Sequence, residues 1–335
     1  MKPYEATHTT KSRNDFLGYI QTYRAIATIF VIAIHCPWLL SDTHETSFSA
    51  IIFNRSTHLF IFLSGFIFQH LSNKFNWKAY YISKLKNVIV PYLIISLPIL
   101  LYRLFISKTI PDSEEFIMQL ISGGALVPMW FVPTIVLFYA ISPLLVKLDE
   151  NGLIYYLLPL FIALSLVVTR DLAVNNNQLV LFTHFFSVYL LGMLCSKYKE
   201  QLYKVTDKCN SLLVCITVLL ILVQYVYPLV LTEQLQFIQK TSLSFLFLYW
   251  FRKYDDYVPK TVKSLADISF GIYLIHYLAL SIIYFTLKCV TGKTSFDNTP
   301  LHYVLLIIAV LILTVMVIKI VKLSTKKYSR YFVGC

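Results

Sequence analysis

The sequence predicts an all-α integral membrane protein, a bundle of about ten transmembrane helices with both termini in the cytoplasm. Three observations predict it. The first is composition: 57% of the 335 residues are hydrophobic, 14% are charged and mean hydropathy is +0.67, too apolar for an ordinary soluble domain. The second is segment length: apolar runs recur at close to the ~20 residues a helix needs to cross hydrocarbon, and long helical runs exclude a barrel of alternating strands. The third is charge placement. With both termini inside, 21 of the 29 Lys and Arg residues fall in inner loops and tails, four (Lys108, Arg170, Lys288, Lys293) in outer loops and four within spans. That asymmetry satisfies the positive-inside rule, and an odd number of spans would spoil it.

The first span, 19–40, follows a cytoplasmic tail of 18 mostly polar residues, and no small-residue cleavage site comes after it. It therefore reads as an uncleaved helix rather than a signal peptide. Spans at 51–70, 88–106, 129–147, 152–169, 179–196 and 211–230 follow on apolar length alone. The eighth, 237–251, is short and holds Gln239 and Lys240, which makes it the weakest. Two more, 267–287 and 301–321, lead to a basic cytoplasmic tail at 322–335. The longest outer connection, 107–128, carries turn-forming Pro and Gly with an acidic patch. No soluble domain or internal repeat stands out, so the chain reads as one membrane domain, 1–335.

The net charge of +12 does not point to nucleic acid, because the cations sit in short clusters between apolar runs rather than along one polar surface. Six cysteines show no CxxC or zinc-like spacing and several lie within spans; they read as small buried hydrophobes. No His/Cys/Asp cluster has metal-ligand spacing, so no metal is implied.

A charge at membrane depth costs several kcal/mol and usually faces a cavity or partner, which makes each one a functional candidate. Arg24 and His35 are 11 residues apart, three helical turns to within about 20°, so both leave one face of the first helix, about 16 Å apart in rise. With the N-terminus inside, Arg24 lies near the cytoplasmic level and His35 past mid-depth. A guanidinium holds phosphate in forked geometry; a neutral imidazole takes a proton from a hydroxyl. That pairing suits acyl-CoA, whose nucleotide stays in the cytoplasm while its thin pantetheine arm enters the membrane. The plainer alternative has Arg24 snorkelling to headgroups and His35 packing between helices; their shared face weakens it.

Five stretches in order carry a family resemblance. They are "YRAIATIFVIAIH" (23–35), "HLFIFLSGFIF" (58–68), "SKLKNVIVPYL" (83–93), "MWFVPTIVLFYAISPLL" (129–145) and "ISFGIYLIHYLAL" (268–280). Together they resemble the membrane acyltransferase-3 family, which modifies cell-surface glycans and lipids, and the ten-span count agrees. The resemblance implies that Arg24 binds the phosphate of CoA, that His35 is catalytic and that His276 assists. It also brings Lys84 into the basic loop before the third span. Two departures stand out: Gln21 where the family often has an acidic residue, and Lys84 with Asn87 where it usually has two arginines. Lysine keeps the charge and loses the fork, and Lys86 is the available substitute.

The remaining candidates follow from position. His58 and His276 lie near mid-depth of their spans. Arg55 and His58, three residues apart, share a face and suit an acidic glycan or an oxyanion, or else an interfacial anchor. Ser64–Gly65 is small enough for close helix packing, and a serine nucleophile there needs a base within reach. Cys36 adjoins His35, but neighbours on a helix point about 100° apart, which argues against an acyl-cysteine. Trp130, Phe131 and Tyr273 are candidates to stack on sugar or pantetheine, against the commoner interfacial role. His35 lacks an obvious mid-membrane carboxylate partner, which disfavours a Ser-His-Asp triad. His184, His8, His44, His70 and His302 read as surface groups.

The expectation is an O-acyltransferase of the cell (inner) membrane, moving acetyl, or another acyl such as succinyl, from acyl-CoA to a hydroxyl of a cell-surface or lipid-linked polysaccharide. Its partners are acyl-CoA, a carbohydrate acceptor and the lipid bilayer, with homo-oligomerisation left open. The alternatives are a transporter or flippase of a glycan or small anion, and a non-catalytic membrane subunit of a polysaccharide synthase. The enzymatic reading requires a water-accessible passage with Arg24 at its inner mouth and His35 deep within.

Overall fold

A computed structural model of the chain describes residues 17–41, 48–170, 176–227 and 231–335. The tail at 1–16, with His8, and also His44 lie outside the described residues. Within them the chain is helical, with no strand beyond a single bridge between Leu40 and Phe296. The helices are α1 (Gly18–His35), α2 (Phe48–Phe53), α3 (Thr57–Leu71), α4 (Trp77–Lys84), α5 (Val90–Phe105), α6 (Ser113–Ser122), α7 (Phe131–Ala140) and α8 (Ser142–Glu150). They continue as α9 (Leu158–Val167), α10 (Gln178–Lys197), α11 (Lys199–Val226), α12 (Thr232–Lys253), α13 (Lys260–Asp267), α14 (Ser269–Thr291), α15 (Pro300–Thr325) and α16 (Ser329–Val333).

Every expected span carries helix, and the protein is an all-α membrane bundle. By length and apolarity, however, seven helices qualify as crossings among the described residues, or nine if each of two bent pairs is one span. Both bends fall at connections the sequence also read, one within 107–128 and one between the spans expected at 129–147 and 152–169. The run expected at 129–147 is divided between α7 and α8, and α8 meets the following helix, Leu153–Val167, at 101°. Gly152 makes that corner with φ 67°, a conformation that costs glycine little. The connection expected at 107–128 instead folds a helix, α6, bent 73° from Val127–Ala140. Asp112 caps it by accepting from the Glu115 amide at 2.9 Å, and Gly123 ends it at φ 78°.

The weakest span is α12, a 22-residue helix that is not among the seven. Its Gln236, Gln239, Lys240, Ser242 and Ser244 are all buried, because the helix lies against protein rather than lipid. The Lys240 ammonium donates to the Ile52 carbonyl at 2.6 Å and to Gln239 Oε1 at 3.3 Å, so it caps the end of α2 as a cation does a helix C-terminus.

At the centre, α3 packs against α10 with backbones in contact. A Cβ on Gly65 would run into the carbonyl of Tyr189, and one on Gly192 into that of Phe62, the close approach that small residues permit between membrane helices. Toward the rim, α11 and α15 expose Leu212, Leu219, Ile308 and Met316, apolar faces suited to lipid. Of the cysteines, Cys36 and Cys195 are buried as expected; Cys215 and Cys289 are exposed instead, since they fall on outward faces of α11 and α14.

Candidate active site

A cavity of about 620 Å³ lies between α1, α3, α4, α7, α10 and the start of α14. Among the described residues its lining includes three cations, Arg24, Lys74 and Lys84, and no carboxylate; much of the remaining wall is aromatic, with Phe60, Tyr80, Phe131, Tyr139, Tyr189 and Tyr273. Arg24, in the second turn of α1, donates to Ser269 Oγ at 3.0 Å and to Gln21 Oε1 at 3.5 Å. Both hydrogen-bond partners are neutral; the carboxylate of Asp267 acts on the guanidinium electrostatically from outside the cavity lining. The Lys84 ammonium lies 4.4 Å from the centre of the Tyr139 ring and 5.1 Å from that of Tyr80, a cation–π setting that restrains it at the wall. It immediately precedes a π-helical turn, Leu85–Ile89, an irregularity common where a helix serves a site.

Above the cations the cavity meets Phe131 and Tyr273, whose rings are 5.2 Å apart. The buried Tyr273 hydroxyl is committed to the Pro128 carbonyl. Its ring is 6.1 Å from that of His276, and His276 is in turn 5.2 Å from His35. His35 ends α1 and also meets the Tyr277 ring edge-on at 5.7 Å. On His276, Nδ1 lies 2.7 Å from the Tyr273 carbonyl and 3.2 Å from that of Ile272. A carbonyl only accepts, so Nδ1 carries the proton and Nε2 the lone pair. That Nε2 is buried with no hydrogen-bond partner among the described residues.

The two histidines come together, and Arg24, Ser64, Lys84 and Tyr273 share one cavity. The expected open passage from Arg24 to His35 is not continuous: neither histidine lines the cavity, because the packed rings of Phe131 and Tyr273 stand between. Ser64 returns its hydroxyl to the Phe60 carbonyl at 2.8 Å. Lys86 is exposed and off the cavity.

The other candidates gather elsewhere. Arg55, at φ 60°, is ion-paired with the buried Glu233, whose other oxygen accepts from the Arg170 amide at 2.6 Å. His58 is buried, with Nε2 3.2 Å from Thr241 Oγ1. Trp130 stacks on Phe185 at 6.0 Å and carries the Arg170 guanidinium at 4.5 Å, so it is covered by protein groups and does not line the cavity. His184 is not a surface group: it is buried, and its Nδ1 donates to the carbonyls of Val168 and Ser165 at 2.9 and 3.0 Å, because α9 packs directly over it.

Sequence reasoning missed Lys74, Tyr139 and Gly334 as cavity residues and Glu233 as the partner of Arg55. Lys74 was legible only as one charge of a basic loop. Glu233 precedes the apolar run that defined its span, so nothing marked it as buried. Among the described residues no three His, Cys, Asp or Glu side chains converge as metal ligands.

The family model described as an acyltransferase domain matches residues 17–319. Neither curated proteins nor solved structures yielded a match.

Proposed function

Because the chain belongs to the membrane acyltransferase-3 family, and is therefore an acyltransferase of a multi-pass membrane fold, we propose that it moves acetyl, or a similar acyl group, from acyl-CoA to a hydroxyl of a cell-surface or lipid-linked polysaccharide. The observation that carries this reading is the order of groups: a cavity with three cations and no carboxylate, then Tyr273, then the His276–His35 pair. The phosphates of CoA match the cations; the pantetheine arm lies between the aromatic walls, and its thioester reaches the histidines only when the Phe131 and Tyr273 rings part. The proposed orientation has both termini and the cavity mouth in the cytoplasm, α12 as a further crossing, and the protein in the cell (inner) membrane.

In the proposed step His35 takes the proton of the acceptor hydroxyl as that oxygen attacks the thioester carbonyl. The tetrahedral oxyanion collapses, the C–S bond breaks, and the thiolate leaves as thiol with the proton from the imidazolium. His276 assists: with Nδ1 held on backbone carbonyls, its Nε2 keeps a lone pair that can take a proton within the histidine pair. The test is to express His35→Ala and Arg24→Ala variants at equal membrane levels and measure ester content of surface glycans by mass spectrometry. Loss of ester in both is expected, and the mass shift names the acyl group; wild-type ester content in both overturns the assignment.

A further inference from the structure

The matched domain ends at 319, yet the cavity wall does not. Beyond α15, Lys326 adopts φ 47° and turns the chain back, α16 docks on α5, on the Leu85–Ile89 turn and on α14, and Val333 is 3% exposed. Ser329 Oγ donates to the Cys335 carbonyl at 2.9 Å, closing the segment on itself. Gly334, at φ 70°, lines the cavity. A Cβ there would run into the Phe270 ring and, at 2.8 Å, the Asn87 carbonyl, and Phe270 and Asn87 are themselves cavity residues. The stretch 326–335 also carries exposed Lys326, Lys327 and Arg330 and no acidic residue.

We propose that the C-terminal strap, 326–335, is a working part of the donor site: it clamps the Asn87 and Phe270 walls at the cavity mouth and adds positive charge for the phosphorylated nucleotide end of an acyl-CoA. The inference rests on the donor reading above. Its logic is mechanical and electrostatic together. A wall fixed by a buried anchor loses little order when the ligand binds, and exposed cations on the same short segment as the wall residue Gly334 raise the local concentration of a polyanion. Freeing the strap therefore weakens donor binding while leaving acceptor recognition alone.

The experiment uses the full chain in lipid nanodiscs, with CoA as the probe and peptide-resolved maleimide labelling of the half-buried Cys335 as a monitor of docking. Val333→Asp places a charge in the buried anchor. It is expected to speed labelling and to weaken CoA by about tenfold, with the acceptor KM unchanged. Gly334→Val, which drives a side chain against the Phe270 and Asn87 walls, is expected to weaken CoA as well. In the wild-type protein saturating CoA is expected to slow labelling, a result that does not depend on any variant folding. Wild-type CoA affinity in both variants, or Cys335 labelling indifferent to CoA in a protein that binds it, overturns the proposal alone. If the wild-type protein does not bind CoA, the donor reading falls and takes this one with it.

Discussion

Replacing Arg24 with Gln removes one of the three cations that line the cavity and leaves a shorter, neutral but still polar side chain in place of the group that donates to Ser269. A charge-assisted hydrogen bond is worth about 1.5–3 kcal/mol, so the variant should bind CoA roughly 10- to 150-fold more weakly. Arg24→Lys keeps the point charge and loses the fork, and should fall between the two. Pantetheine, which lacks the phosphates, serves as the second axis of a cycle: its affinity should be the same for wild type and variant to within about twofold. Calorimetry on the purified protein in nanodiscs reads all of these constants. Raising ionic strength from 0.1 to 1 M shortens the screening length from about 10 to about 3 Å and should narrow the CoA gap. A CoA affinity unchanged in Arg24→Gln, or a pantetheine loss as large as the CoA loss, would refute phosphate recognition at this residue.

His276→Gln should lower kcat by about 10²–10⁴ with CoA affinity unchanged, read as thiol release from acetyl-CoA in the presence of unacylated envelope polysaccharide; a kcat near wild type removes His276 from the proton path. Tyr273→Phe keeps the ring and loses the hydrogen bond to Pro128, so stability should fall by about 1 kcal/mol with activity retained to within a few fold. A hundredfold loss of kcat there would make the hydroxyl an oxyanion donor. Gly192→Val drives a side chain into the Phe62 carbonyl and should cost about 1–3 kcal/mol or more; a thermal midpoint equal to wild type would show that α3 and α10 can part without penalty.

What the sequence made legible was what the bilayer imposes. Apolar length placed a helix in every expected span, and helical periodicity put Arg24 and His35 on a helix that serves both the cavity and the histidine pair. Gly65 also read as a close-packing position, and it meets the Tyr189 backbone, while its neighbour Ser64 lines the cavity. The misses have one physical origin: hydropathy reports compatibility with lipid, not burial. α12 looked doubtful because of Gln239 and Lys240, which are polar where protein surrounds them. His184 looked superficial because it falls near a span end, although a neighbouring helix covers it. The corner at Gly152 and the cap at Asp112 fall at connections the sequence did show; what it hid was α6, a 10-residue helix with two glutamates in its first turn, too short and polar to register as an apolar run. That Phe131 and Tyr273 close the route between the cations and the histidines is a property of packing between α7 and α14, which no single-helix pattern contains.

The contact of Gly65 with the Tyr189 carbonyl and of Gly192 with the Phe62 carbonyl bears on how this molecule breathes. Two helices that interlock main chain against main chain have no side-chain cushion to deform, so sliding one past the other would require separating them outright. They form a fixed keel. Any widening that lets a long thioester through must come from the other walls, α1, α4, α7 and α14, and first from Phe131 and Tyr273, whose rings close the route.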